Sequence, residues 1–162
     1  MKVLVLYHTR TGNTAALAEA VAEGVRAVAG VGCVLKSASE LTQSEFTSAD
    51  GVIAGSPVYF GTMAAELKTA FDRFVHVRGQ MEGKVGAAFA TSADASGGKE
   101  TTIMSILQAM LIYGMIVVGD PMDATGHYGV ACVERPDPQT TSNAAKLGRR
   151  VAELVKKLHD ST

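Results

Sequence analysis

The stretch that decides the fold opens the chain, where KVLVLY (2–7) runs into HTRTGNTAALAEAV (8–21). The first six residues are an almost unbroken aliphatic run, which is typical of a strand buried on both faces of a parallel sheet. Beyond it, Leu17, Val21 and Val25 recur every fourth position and predict a helix over 13–28. A short polar loop therefore joins a buried strand directly to a helix.

The same alternation continues along the chain. Further strands are predicted at 33–38, 51–56, 84–92 and 115–119, and further helices at 64–75, 100–114 and 137–158. Strands that alternate with helices form a parallel sheet covered by helices on both faces. The sequence thus predicts one α/β domain over 1–162 with five parallel strands. In such sheets, ligands bind at the carboxyl ends of the strands, so the loops that follow strands are the candidate site.

Composition excludes several classes of protein. The chain has 162 residues, of which 47% are hydrophobic, and its formal net charge is −1. A charge this small gives no reason to expect binding to nucleic acid or to anionic membranes, and no apolar run is long enough to cross a bilayer. The start of the chain lacks the features of a signal peptide. Cys33 and Cys132 fit neither a metal site nor a disulfide framework, so we expect no metal and a reducing, cytoplasmic location.

The loop after the first strand is unusually rich in hydrogen-bond donors. Thr9, Thr11 and Thr14 carry hydroxyls, Asn13 carries an amide, and Gly12 lets the backbone approach a ligand closely. The N-terminus of a helix attracts anions because its N–H groups are unpaired and carry partial positive charge. Capping the helix would require one hydroxyl, whereas this loop offers three. The loop lacks both the Gly-Lys-Ser/Thr and the G-x-G-x-x-G pattern, so it predicts a cradle for a single phosphate group.

Three motifs carry a family resemblance. TRTGNT (9–14), between a strand and a helix, resembles the phosphate loop of flavodoxins. GSPVYFGTM (55–63) and TSADASGGKETT (91–102), which also follow strands, resemble the flavin loops of WrbA-type NAD(P)H:quinone oxidoreductases, and HYGV (127–130) is similar to that family's Tyr-Gly turn. The likeness runs nearly from end to end of the chain.

The resemblance implies a flavodoxin-like three-layer sandwich with strand order 2-1-3-4-5 and FMN as the cofactor. The peptide groups of residues 60–63 would then lie beside the pyrimidine side of the flavin ring, and Tyr59 or Phe60 would stack on the ring or cover it. The implied FMN contacts, counted together with the phosphate loop, are Thr9, Arg10, Thr11, Gly12, Asn13, Thr14, Ser56, Pro57, Val58, Tyr59, Phe60, Gly61, Thr62, Met63, Thr91, Ser92, Ala93, Asp94, Gly97, Gly98 and Tyr128.

Two redox activities remain open at this point, beside a binding or regulatory module that would use the flavin passively or not at all. An enzyme would accept hydride from a transiently bound NAD(P)H and pass two electrons to a quinone, whereas a flavodoxin-type carrier would move single electrons between proteins. Carriers of this kind are strongly acidic, but this chain has 16 acidic against 15 basic residues. The near balance favours the enzyme. His127, in the loop after the last predicted strand, is a candidate catalytic proton donor.

The helix predicted at 100–114 indicates that the chain forms an oligomer. Apolar residues such as Ile103, Met104, Leu111 and Ile112 occupy most of its circumference, whereas a helix at a free surface shows one polar face. We therefore expect a homodimer or homotetramer in which this helix contacts another subunit.

Overall fold

The structure, a computed structural model, describes residues 1–161. These residues form five α-helices and seven strands. Strands and helices alternate along most of the chain, as the sequence predicted. The strands are β1 Lys2–Tyr7, β2 Gly32–Ser37, β3 Gly51–Tyr59, β4 Thr62–Met63, β5 Val85–Ser92, β6 Ile116–Val117 and β7 Val130–Val133. The helices are α1 Asn13–Arg26, α2 Gln43–Thr47, α3 Ala65–Arg73, α4 Lys99–Ile112 and α5 Pro138–Asp160, with a 3-10 helix at Val75–Met81.

The strand order confirms the predicted flavodoxin-like sheet. The order is β2-β1-β3-β5-β6, and these neighbours run parallel. β7 also pairs with β5 in parallel, further along the same edge. The fifth position of the sheet is therefore shared by two short strands, β6 beside Val85–Gly86 and β7 beside Phe89–Ser92. β4 forms an antiparallel hairpin with the end of β3.

The predicted strand at 115–119 was too long, and β7 was missed. Val118 still donates an N–H bond to the carbonyl of Gly86, but the chain then leaves the sheet at Gly119 and Pro121, and proline has no N–H to continue a ladder. Asp120, which is buried, accepts N–H bonds from Gly126 (2.7 Å) and His127 (2.6 Å). These two bonds close the loop after β6, and the chain then rejoins the sheet edge at Val130.

Helix ends and short elements also differ from the predictions. Each of the four predicted helices exists, with ends shifted by at most two residues. Residues 40–50 hold the short helix α2, which was not predicted. It starts with a capping box in which the Thr42 hydroxyl accepts the Glu45 N–H and the Glu45 carboxylate accepts the Thr42 N–H. The Thr-x-x-Glu spacing is a recognisable helix start, so the sequence did contain this signal.

Helices cover both faces of the sheet. Leu4, Leu6 and Val52 point to the side of α3 and α4, while Val3, Val5 and Ile53 point to the side of α1 and α5. The central strands are therefore buried on both faces, as the aliphatic run of β1 predicted. Among residues 1–161, no helix combines the length and the apolar character that a membrane span requires.

Two glycines allow α1 and α5 to pack with their backbones in contact. A Cβ on Gly24 would collide with the carbonyl oxygen of Ala145, and a Cβ on Gly148 would collide with the carbonyl oxygen of Val21. Both glycines are buried inside helices. The pair fixes how closely α5 can cover the sheet beside the first βα unit.

Gly148→Ala should destabilise the protein because the added methyl meets rigid backbone rather than a movable side chain. Overpacking of this kind costs about 1–3 kcal/mol of unfolding free energy. Urea denaturation followed by circular dichroism measures the cost. Gly79→Ala is the matched control, since a Cβ there has nothing within 4 Å. Equal midpoints for the two variants would contradict the close contact.

Candidate functional site: a cleft at the carboxyl ends of the strands

The carboxyl ends of β1, β3, β5 and β7 open into a cleft of about 430 Å³. Most of its lining was predicted from the sequence: Thr11 and Asn13 from the first loop, residues 57–59 from the end of β3, and residues 91–93 from the end of β5. Glu134 and Arg135, which follow β7, complete the lining and were not predicted. Parallel pairing thus gathers residues more than one hundred positions apart in sequence.

The first loop leaves the start of α1 open. Gly12 is the N-cap residue, with φ +91°, and no side chain caps the helix. A Cβ at Gly12 would have nothing within 4 Å, so the space before the helix is empty of protein. Thr9 accepts the Gly12 N–H through its hydroxyl (3.0 Å) and holds the turn, while Arg10 and Thr11 are exposed at the rim. The geometry suits an anion at the N-terminus of α1.

Thr14 is more deeply buried than Thr9 and Thr11. Its side chain is buried, and its hydroxyl forms a 2.8 Å hydrogen bond with the hydroxyl of Thr91. Thr91 is also buried, near the end of β5. This bond ties the first turn of α1 to the floor of the cleft, so Thr14 supports the loop in this structure.

The second loop is a tight hairpin between β3 and β4. Phe60 and Gly61 are its two turn residues, and both have positive φ (+51° and +77°), as a type I′ hairpin turn requires. Phenylalanine in this conformation costs about 1–3 kcal/mol, and strain of this kind concentrates at functional sites. The Phe60 side chain is fully exposed at the tip. Tyr59, just before it, lines the cleft.

Two serines anchor the hairpin from behind. The buried Ser56 hydroxyl accepts the N–H of Ala64 (2.8 Å) and donates to the carbonyl of Pro57 (2.7 Å). The Ser105 hydroxyl, on α4, accepts the N–H of Met63 (3.1 Å). Ser56, predicted as a contact to the cofactor, is thus occupied in holding the ends of the hairpin, and the strained tip is fixed from two directions.

The third loop, 93–98, packs against the hairpin through glycine. Ser92 donates its hydroxyl to the carbonyl of Asp94 (2.7 Å), which also accepts the Gly97 N–H. Gly98, with φ +85°, is the uncapped N-cap of α4. A Cβ on it would lie 3.2 Å from the Cα of Gly61, so the two loops meet backbone to backbone. The Asp94 side chain is exposed.

Several predicted residues lie elsewhere. Phe60, Thr62 and Met63 line a separate cavity of about 700 Å³ beside α4, and Tyr128 and His127 also lie away from the cleft. Tyr128 lines a separate cavity of about 360 Å³ between α4 and the start of α5, together with Lys99 and Asn143. His127 is exposed, has φ +112°, and is held through its backbone N–H by Asp120. Neither residue lines the cleft. Their predicted roles, in cofactor binding and in catalysis, stay predictions.

Glu134 and Arg135 were missed because β7 was missed. Glu134 has φ +54°, and its N–H donates to the carbonyl of Ser92 (2.7 Å).

The Cys132 thiol donates to the carbonyl of Glu134 (3.5 Å). Burial raises the pKa of Cys132 to about 11, so this thiol stays neutral near pH 7 and is no nucleophile.

Comparison with known proteins identifies the family of the chain. Residues 33–128 match the family described as NADPH-dependent FMN reductase. The chain is 39% identical to a flavodoxin of Aquifex aeolicus over 95% of this chain and 86% of that protein. It is 33% identical to an NAD(P)H dehydrogenase (quinone) of Archaeoglobus fulgidus over 97% of this chain and 98% of that protein.

A solved structure extends the agreement to the fold. The crystal structure of the flavodoxin, WrbA-like protein from Agrobacterium tumefaciens superposes with a TM-score of 0.82, covering 96% of this chain and 98% of that one at 23% identity. The chain therefore belongs to the flavodoxin-like NADPH-dependent FMN reductase family. The predicted family and the predicted FMN-dependent oxidoreductase are confirmed at this level.

The residues of the cleft fit FMN. The uncapped start of α1 offers a phosphate site at one side, and Pro57, Val58 and Tyr59 offer a largely apolar wall for the ring. The volume lies within the range of about 300–1,000 Å³ that is usual for small-molecule sites. Backbone contact between Gly98 and Gly61 keeps the wall and the third loop together.

The hydroxyl pair that supports the cleft can be tested by a double-mutant cycle. Thr14→Val leaves the Thr91 hydroxyl buried without a partner, which costs about 1–3 kcal/mol of unfolding free energy. Thr14→Val together with Thr91→Val removes both hydroxyls and should recover much of that loss. Urea denaturation measures each variant, with exposed Thr69→Val as control. Additive losses in the double variant would show that the hydroxyls do not act as a pair.

Proposed function

We propose that this protein uses FMN to reduce quinones with NAD(P)H in a two-electron reaction. The observation that carries the proposal is the open third loop of the cleft. Residues 93–98 are Ala, Asp, Ala, Ser, Gly and Gly, and Ala93 lines the cleft, so this loop places no bulky side chain over it. Flat substrates can stack where the wall is made of small residues. The Archaeoglobus fulgidus relative, whose name specifies a quinone, covers nearly the full chain.

Bound FMN would supply the redox chemistry of this proposal, which is the acceptance of hydride from NAD(P)H and the transfer of two electrons to a quinone. The chain supplies binding and orientation. The start of α1 and the Thr11 hydroxyl hold the phosphate, and Tyr59 with the hairpin fixes the position of the ring. Placing donor and acceptor atoms at about 3–3.5 Å provides most of the rate in reactions of this kind.

Proton supply to the quinone falls mainly to water. The cleft is open to solvent, and His127 does not line it. His127 stays a second candidate because an imidazole can donate a proton in catalysis and because its loop borders β7. Replacement of His127 by Gln separates the two sources, since a rate that keeps its pH dependence assigns the proton to water.

The alternative is a single-electron carrier, and one comparison favours it: the Aquifex aeolicus relative is named a flavodoxin. The charge of the chain argues against it. With a net charge of −1, the surface lacks the strong acidic field that steers a carrier onto basic partners. A single measurement distinguishes the two activities.

Anaerobic mixing of the FMN-loaded protein with NADPH or NADH should bleach the flavin absorbance rapidly, and a quinone should restore it. Steady-state turnover should show ping-pong kinetics because both substrates use the same open face. Phe60→Ala should lower the turnover rate, since it removes the aromatic group at the tip of the hairpin. Absence of bleaching, with efficient reduction by a protein donor, would establish the carrier instead.

The phosphate site is tested by affinity rather than by turnover. Thr11→Ala should weaken FMN binding by about 1.5 kcal/mol, roughly tenfold, because one donor to a charged group is lost. Riboflavin has no phosphate, so its affinity should not change. Flavin fluorescence quenching measures both constants, and exposed Thr69→Ala is the control. Equal FMN affinity in the wild type and in Thr11→Ala would exclude the hydroxyl from the phosphate site.

Assembly and location form a separate part of the proposal. Met104, Leu111 and Ile112 on α4 and the neighbouring Ile116 are exposed and apolar, which supports a homodimer or homotetramer built through this face. Sedimentation measures the mass directly, and a monomer at micromolar concentration would overturn the assembly. Cys33 and Cys132 are both free thiols, which supports a reducing location such as the cytoplasm.

A further inference from the structure

Glu134 and Arg135 form a charged pair of neighbours on the rim of the FMN cleft. They lie beyond the end of β7, and the cleft that they line is also lined by Thr11 and Asn13 of the first loop. Both side chains are exposed. Within residues 1–161, neither side chain forms an ion pair or a hydrogen bond, so their charges are available to a ligand in the cleft.

The backbone at this position is held more firmly than in an ordinary loop. Glu134 adopts φ +54°, an unfavourable conformation for a residue with a side chain, and its N–H bond to Ser92 fixes the turn. Three residues further on, Asp137 caps α5 by accepting the Thr140 N–H (2.7 Å). The strained turn and the capped helix together position the pair against the cleft.

The charges of the two side chains act in opposite directions on a phosphate. FMN ends in a phosphate monoester that carries about −1.5 to −2 charges at neutral pH, as other phosphate monoesters do. The start of α1 offsets only about half a charge. Arg135 would add attraction for the phosphate, and Glu134 would add repulsion. Arg10, in the first loop, is a further exposed cation.

We propose that Arg135 selects the phosphorylated flavin over riboflavin and that Glu134 limits the affinity for it. Together they set how tightly the protein retains FMN. The inference rests on the proposed phosphate site at residues 9–14. It assigns to the end of β7 a role in cofactor selection by charge, separate from the hydrogen bonds of the first loop.

The test compares substitutions with opposite expected effects. Arg135→Gln should weaken FMN binding by about fivefold, and Glu134→Gln should strengthen it by a similar factor, as expected for exposed charges. Riboflavin affinity should stay the same in both variants. Both effects should shrink at high salt because exposed charges are screened. Flavin fluorescence quenching at low and high ionic strength gives all the constants.

Matched controls come from α5. Arg149→Gln and Glu153→Gln remove the same charges at residues that line a different surface groove, and they should leave FMN affinity unchanged. An unchanged FMN affinity in Arg135→Gln would overturn the proposal. Equal losses of affinity for FMN and for riboflavin in Arg135→Gln would also overturn it, because a contact to the ring or a disturbed fold would then explain both losses.

Failure of the phosphate site itself gives a different pattern. If the wild type binds riboflavin as tightly as FMN, and Thr11→Ala changes nothing, the phosphate does not lie at the start of α1. If Thr11→Ala weakens FMN binding while Arg135→Gln does not, the phosphate site stands and only the role of Arg135 is wrong.

Discussion

Parallel pairing of β1 between β2 and β3 is the constraint on which the site depends. Because the strands run in the same direction, each one ends at the same edge of the sheet. The loops after β1, β3, β5 and β7 therefore meet without any long-range polar contact having to assemble them. The same pairing buries β1 on both faces, which explains its aliphatic sequence. The cleft is a consequence of this arrangement, and its chemistry depends on which residues the loops carry.

Polar side chains at this edge divide into two groups. Thr9, Thr14, Ser56 and Ser92 bond to the protein and hold the loops in place. Thr11, Arg10 and Arg135 are exposed and remain available to a ligand. Thr14, Ser56 and Ser92 are buried, where a hydroxyl without a partner costs free energy, so burial separates these supporting hydroxyls from the exposed group. A count of donors along the loop does not make this distinction.

Small residues have two separate functions in the molecule. Gly24 and Gly148 let two helices touch through their backbones, while Gly61 and Gly98 let two loops of the cleft touch in the same way. The first pair determines how the outer helices cover the sheet. The second pair keeps the hairpin and the third loop close enough to form one wall, yet leaves the opposite face open. The near-neutral net charge adds no strong field to the cleft.

The sequence by itself determined the α/β fold, the order of its main elements and most of the lining of the cleft. These features depend on local patterns: an aliphatic run, a helical repeat, and loops rich in glycine and hydroxyls. Only the tertiary structure decided the partner of Thr14, because Thr91 lies 77 positions away. It also decided that two short strands, β6 and β7, share the fifth position of the sheet. The four residues of β7 are too short to give a periodic signal, and their pairing depends on the buried Asp120 that closes the preceding loop. Glu134 and Arg135 reach the cleft only through that pairing, so a reading of local patterns could not place them there.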